Sequence, residues 1–264
     1  MNKKRFLGIT LIIAIFIGLA ITIVYIFTEL KDETDIQMQK SESTDAYIFK
    51  QEYESLNDKE NTDGTKNRSV AISENNQIVY AKASDIVSKI DNKESFIVYF
   101  GFDSCPWCRL IVEGLLNRAN NYELTTIYYV DIKNIRDVYE LNENHEAVRT
   151  TEGTSGYYTL LEKLNPVLSD YAPLSYTETK KVKGKKKTVT NTVKIDEKRI
   201  YAPNIIAVKD GVPTAIADGI SSSITDPYAD LTDAEKKYMN NEFDRVLSIV
   251  AKEKNYTCTE SSNC

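Results

Sequence analysis

Two cysteines separated by two residues, in the run Cys105-Pro106-Trp107-Cys108, are the side chains of this chain best suited to chemistry. Thiols at that spacing exchange disulfides reversibly, form half of a zinc site, or close as a structural disulfide. The flanks favour the first. Ahead lies the β-branched and aromatic run Ser95-Phe96-Ile97-Val98-Tyr99-Phe100, and behind it Leu110-Ile111-Val112 and Leu115-Leu116 recur at helical spacing. This pattern predicts a strand, a tight turn and a helix, with the cysteines on the helix's first turn. Free amides and the positive end of the helix dipole stabilise a thiolate there. Cys105 is therefore expected to be an exposed nucleophile. Cys108, one turn further in, is expected to be the more buried resolving thiol, able to attack a mixed disulfide at Cys105. Pro106 suits an early helical position, where its missing N–H costs little. Trp107 offers a flat apolar surface that contacts substrate or shields the pair.

The elements that position this pair can be read in order. Residues 28–76 are polar and acidic without a sustained period, and are expected to form a solvated stalk with a weak helix around Ala46–Leu56. Gln77–Tyr80 is expected to be a short strand, Ser84–Ile90 a helix, and Ser95–Phe100 a central strand buried on both faces. Leu124–Ile132 is the next strand. Residues 136–198 are expected to be an insertion. It holds an amphipathic helix with Tyr157, Leu160, Leu161 and Leu164 on one face, and a β-hairpin over Thr177–Thr192 with a lysine-rich tip at Lys183-Gly184-Lys185. The lysines read as edge-strand protection or as a contact for an anionic partner. Ile205–Val208 and Thr214–Gly219 flank a turn at Lys209-Asp210-Gly211. Leu231-Thr232-Asp233-Ala234-Glu235 is a capping box that opens a final helix carrying Met239, Phe243, Val246 and Val250.

At the N-terminus, Lys3-Lys4-Arg5 precedes an apolar run over residues 6–27, about 22 residues, long enough to span a bilayer as a helix. Its exit is bulky, Val24-Tyr25-Ile26-Phe27, which favours an uncleaved signal anchor over a cleaved leader. The basic residues 1–5 are then cytoplasmic and the remainder exported as a single-pass membrane protein. An exported location permits disulfides. The remaining cysteines, Cys258 and Cys264 in a tail over 255–264, read as a structural disulfide or as a second exchanging pair. The net charge of −6 gives no sign of nucleic-acid binding. The single His145 sits in a polar stretch and is expected to be exposed; with one histidine, no hydrolase triad is supportable. No metal site and no cofactor is expected.

The strand, the Cys105-Pro106-Trp107-Cys108 unit, the following helix and the returning Ile200-Tyr201-Ala202-Pro203-Asn204-Ile205 resemble the thioredoxin superfamily over roughly residues 77–254. The resemblance implies an α/β fold, a central mixed sheet flanked by helices, here with an inserted helix and β-hairpin and preceded by a transmembrane helix. It implies that Pro203 is the family's cis-proline beside the cysteines, and that the backbone of Ala202 pairs with an extended substrate. Many relatives carry a buried acid six residues before the first cysteine, where this chain has Tyr99. Some carry a histidine between the cysteines, and the glutaredoxins carry paired glycines after the proline; this chain has neither. More loosely, the anchor, the strand and CPxC unit and the insertion resemble the bacteriocin-transport-accessory group and related anchored proteins of Gram-positive bacteria.

The expected function is that of a membrane-anchored, extracytoplasmic thiol–disulfide oxidoreductase acting on exported thiol- or disulfide-containing proteins or peptides, with a membrane electron donor or acceptor for turnover. The alternative is a non-catalytic binding module that uses the same scaffold to assist peptide export or envelope assembly.

Overall fold

Residues Phe96 to Gly101 are buried at every position, a pattern a strand reaches only inside a sheet covered on both faces. The computed structural model describes residues 44–61, 64–182 and 185–254, together with Thr22. In chain order these hold α1 (Asp45–Glu54), β1 (Ile78–Tyr80), α2 (Ala83–Asp91), β2 (Phe96–Gly101), α3 (Pro106–Ala119) and β3 (Ile127–Asp131). An excursion follows with β4 (Val138–Leu141), β5 (Ala147–Thr151), α4 (Ser155–Leu164), β6 (Ser169–Asp170), β7 (Leu174–Val182), β8 (Lys185–Val193) and β9 (Lys198–Arg199). The chain returns through β10 (Asn204–Lys209), β11 (Val212–Ala217) and α5 (Asp233–Leu247).

The central sheet is mixed, in the order β1-β3-β2-β10-β11. β1 and β2 lie parallel to β3 on its two sides, β10 pairs antiparallel with β2, and β11 antiparallel with β10. Pro213 sits on the outer strand, where a missing amide breaks no interior ladder, and the register shifts beside it between Ala207 and Val208. Period-two alternation splits the strand side chains between two cores. Ile97, Tyr99, Ile127, Tyr129, Ile205 and Ala207 face α1, α3 and α5. Phe96, Val98, Phe100, Val130, Ile206 and Val208 face α2 and α4. The mixed α/β architecture with helices on both faces follows from that division.

The expected stalk over 28–76 is corrected from residue 44 onward. Thr44 caps α1, and Phe49 and Tyr53 of that helix are fully buried against the sheet, with the rings of Phe49 and Tyr129 centred 4.9 Å apart in an edge-on contact. Val70 and Ile72 are buried in the same core. The weak helix expected around Ala46–Leu56 is present as α1, but the segment looked solvated because polar and charged residues dominate it. Those charges are satisfied locally: Glu54 pairs with Lys50 at 2.8 Å and accepts the Ile72 amide at 2.8 Å. The first part of the expected stalk and the expected anchor over 6–27, apart from Thr22, lie outside the described residues. Among the described residues, no helix is long and apolar enough to cross a membrane.

The excursion contains the expected helix, with Tyr157, Leu160 and Leu164 buried, and the expected ribbon, a nine-residue pairing of β7 with β8. It also contains the β4–β5 hairpin and the short β6–β9 pair, which carry no strong pattern in the sequence. Its base is tied by ions. Arg199 meets the buried Asp137 at 3.4 Å, and Arg149 meets Glu197 at 2.8 Å. His145 is exposed, at the β4–β5 turn with φ of 59°, and its ring stacks on Tyr176 at 3.8 Å.

Candidate functional site

Cys105 is the N-cap of α3. Its backbone is extended, Pro106 occupies the first helical turn, and its Sγ accepts the backbone amide of Cys108 at 3.2 Å. A cap is the position at which a side-chain acceptor satisfies an otherwise unpartnered helix N–H. A sulfur placed there gains most when it carries negative charge. The Cys105 thiol is accordingly pulled below its ordinary range, first by the Cys108 thiol donating to it, against the cost of burial, then by the amides of Cys108 and Trp107 and the charge of Arg136. Cys108 moves the other way. It is fully buried, and burial, followed by the hydrogen bond and charge of Cys105, holds its thiol well above the ordinary value. Both cysteines are unbridged.

One expectation is corrected. Cys105 is not exposed: only 3% of its surface is open. The carbonyl of Ala202 lies 3.4 Å from its sulfur and covers it. The Ala202-Pro203 bond is cis, and Tyr201 is held to the far side of that turn by donating its amide to Asn204 Oδ1 at 2.7 Å. The sequence placed Trp107, Ala202 and Pro203 near the cysteines, and the fold brings all three together. They line one groove of about 790 Å³ with Tyr201, Ile220 and Tyr238, along the loop after β11. Cys105 is not part of its lining and meets it only through Ala202, whose carbonyl covers the sulfur.

The region behind the cysteines was not legible. Tyr99, on β2, and Tyr53, on α1, are both fully buried, with their hydroxyl oxygens 3.0 Å apart. Arg109, next to Cys108 on α3, is 1% exposed yet forms no ion pair among the described residues. Its guanidinium donates to four oxygens: the carbonyls of Arg68 at 2.7 Å, Tyr53 at 2.8 Å and Asp103 at 3.2 Å, and Asn57 Oδ1 at 2.6 Å. It thereby pins the chain around α1 to the loop that enters the cysteine pair. An arginine one place after a CxxC pair, in an otherwise apolar helix face, is the signal that could have flagged it.

A second cation acts on the Cys105 sulfur. Arg136 is half-buried, sits over the Phe102 ring at 5.3 Å, and has no ion-pair partner among the described residues. Burial, then the nearby Arg199 charge, lowers its pKa. Lys133 donates to Ser104 at 2.9 Å beside it. Asp103 and Asp131 lie among these cations, and Arg136 is the one whose charge lowers the Cys105 thiol.

Among the described residues no group of three or more His, Cys, Asp or Glu side chains is arranged to hold a metal. The expected Cys258 and Cys264 pair lies outside the described residues. No family model, no curated protein and no solved structure matches this chain.

Proposed function

We propose that this chain is a thioredoxin-like thiol–disulfide oxidoreductase, anchored in the membrane by residues 6–27 and acting outside the cytoplasm on exported thiol- or disulfide-containing proteins or peptides. The observation that carries the reading is the polarity of the cysteine pair. One sulfur caps a helix and receives its amide, while the other is buried one turn inside. Such a pair is ordered for two-step exchange.

In the reducing direction the Cys105 thiolate attacks a client disulfide. One Cys105–client S–S bond forms, the client S–S bond breaks, and the first client sulfur leaves as a thiolate. Cys108 then loses its proton to solvent and attacks Cys105. The intramolecular disulfide forms and the second client thiolate departs, so two electrons pass from the cysteine pair to the client. The oxidising direction is the reverse sequence. The raised pKa of Cys108 keeps it protonated while Cys105 is free, which supports the assignment of nucleophile and resolving roles. The groove lined by Trp107, Ala202 and Pro203 is where an extended client would lie. The burial of Cys105 favours a second reading, a binding module whose cysteines are inert.

Replacing Cys108 by alanine separates the two. Exchange predicts clients held on Cys105 as mixed disulfides, seen on non-reducing gels, released by dithiothreitol and lost in the Cys105→Ala/Cys108→Ala double variant. Absence of any thiol-releasable adduct favours the binding module.

A further inference from the structure

The pair Tyr53 and Tyr99 has no part in the exchange scheme above, although both are fully buried in the same core as Cys108 and the Tyr99 hydroxyl acts on the Cys108 thiol. The backbone is shaped to admit it. Tyr99 and Gly101 point to the same side of β2, and a Cβ on Gly101 would fall 2.7 Å from the Tyr99 hydroxyl oxygen. The Tyr99 ring therefore lies along its strand toward the end that carries the cysteines, in space that only glycine leaves open. Tyr53 meets that hydroxyl from α1 at 3.0 Å, and the Tyr53 backbone is itself held by Arg109.

We propose that Tyr99 is a catalytic hydrogen-bond donor to Cys108 and that Tyr53 is the positioning residue that aims and polarises it. The inference rests on the exchange reading and deepens it. As Cys108 loses its proton and attacks the mixed disulfide, charge develops on a sulfur with no exposed surface. A donor already in place there lowers the barrier, because in a water-poor site a hydrogen bond to a charged group is worth more than one to a neutral group. The Tyr99 hydroxyl already favours the Cys108 thiolate, against the larger opposing effect of burial. Burial first, and then neighbouring Cys108 and Tyr129, keep Tyr99 itself protonated far into alkaline pH. The pair thus donates and does not accept the proton. The titratable groups facing Cys108 are Cys105, Tyr99, Tyr53 and Tyr129. The charges that act on these groups include Asp131 on Tyr129, Arg136 on Cys105 and Arg109 beside Tyr53. Among the described residues no carboxylate is a main influence on the Cys108 thiol, so the resolving step is expected to accelerate steadily with rising pH, with no plateau from an internal base.

The test uses the reduced full chain and the small disulfide reagent 5,5′-dithiobis(2-nitrobenzoate), with Cys258 and Cys264 changed to serine. The first thionitrobenzoate released reports attack by Cys105, and the second reports displacement by Cys108. Tyr99→Phe, which keeps the ring, is expected to leave the first step within about twofold and slow the second about tenfold across the pH range. Tyr53→Phe is expected to slow only the second step, about threefold, and to add nothing in the double variant, because it acts through Tyr99. A second step unchanged in Tyr99→Phe overturns the inference while leaving exchange intact. Should Tyr99→Phe not fold, an unchanged second step in Tyr53→Phe overturns it equally. Failure of the first step in the parent chain overturns the exchange reading and this inference with it.

Discussion

The two faces of the central sheet are built to the same plan and used differently. The face toward α2 and α4 is almost purely apolar: Ile86, Val98, Phe100, Leu160 and Ile206 interlock there, and Tyr157 contributes a hydroxyl with no hydrogen-bond partner among the described residues. The face toward α1, α3 and α5 buries both cysteines, the hydroxyls of Tyr53 and Tyr99, and an arginine that satisfies four oxygens. Burying polar groups costs free energy unless each finds a partner. One face therefore packs almost only apolar groups, while the other holds partnered polar and ionisable groups beside a helix terminus.

The comparison can be broken at several points. The largest effect is expected from Cys105→Ala, which removes the capping sulfur: reaction with disulfide reagents at this site should vanish entirely, while stability in urea falls by about 1 kcal/mol through the lost cap. Arg109→Met should come next, lowering stability by about 3 kcal/mol by stranding the oxygens the guanidinium satisfies, and it should also loosen the Asp103 loop and alter Cys105 reactivity. Leu160→Ala, on the opposite face, should cost a similar amount, about 3 kcal/mol in denaturant unfolding, through the cavity it leaves. In the folded protein its Cys105 alkylation rate should match the parent. Equal disturbance of reactivity by Arg109→Met and Leu160→Ala would erase the distinction between the faces.

Alkaline pH sharpens the same contrast. Burial first, then neighbouring charges, raises Tyr53, Tyr99 and Cys108, all on the polar face. In the folded protein they hold their protons to higher pH than in the unfolded chain. Their contribution is thus complete below the unfolded values, about 8.5 for the thiol and about 10 for the tyrosines, and is lost as pH rises from there toward the folded values. The urea midpoint of the reduced protein should fall above about pH 8.5, and less steeply in Tyr53→Phe. The smallest effect is expected from Arg136→Ala. Removing that charge should move the pH midpoint of Cys105 alkylation upward, with a stability loss of about 1 kcal/mol or less from the contact with the Phe102 ring.

What could be read beforehand follows the same division. The buried run of β2, the cysteine spacing and the helix after it signal themselves within a short window, and the observed Phe96–Gly101 and Pro106–Ala119 lie within a residue or so of where periodicity put them. The return strands and the capping box at Thr232 were legible for the same local reason. What was hidden depends on contacts far apart along the chain. The Tyr53–Tyr99 contact joins residues 46 apart, and the Ala202 carbonyl that covers Cys105 comes from 97 residues away. Helix α1 was expected as a weak helix around Ala46–Leu56, but its place in the core was not legible, because which residues of Ala46 to Tyr53 turn inward shows only when the sheet face opposite is known. Cys105 itself was placed correctly at a helix start, but its exposure was set by a loop the local pattern does not contain.

The central claim is that the helix-capping sulfur is an available thiolate and its neighbour is not. Alkylation of the reduced, folded chain by iodoacetamide, followed against pH and assigned by peptide mass spectrometry, tests it directly. The account predicts modification of Cys105 with a midpoint below that of an ordinary thiol, while Cys108 stays unmodified through neutral pH. A Cys105 that stays untouched, or a Cys108 that reacts first, would contradict it.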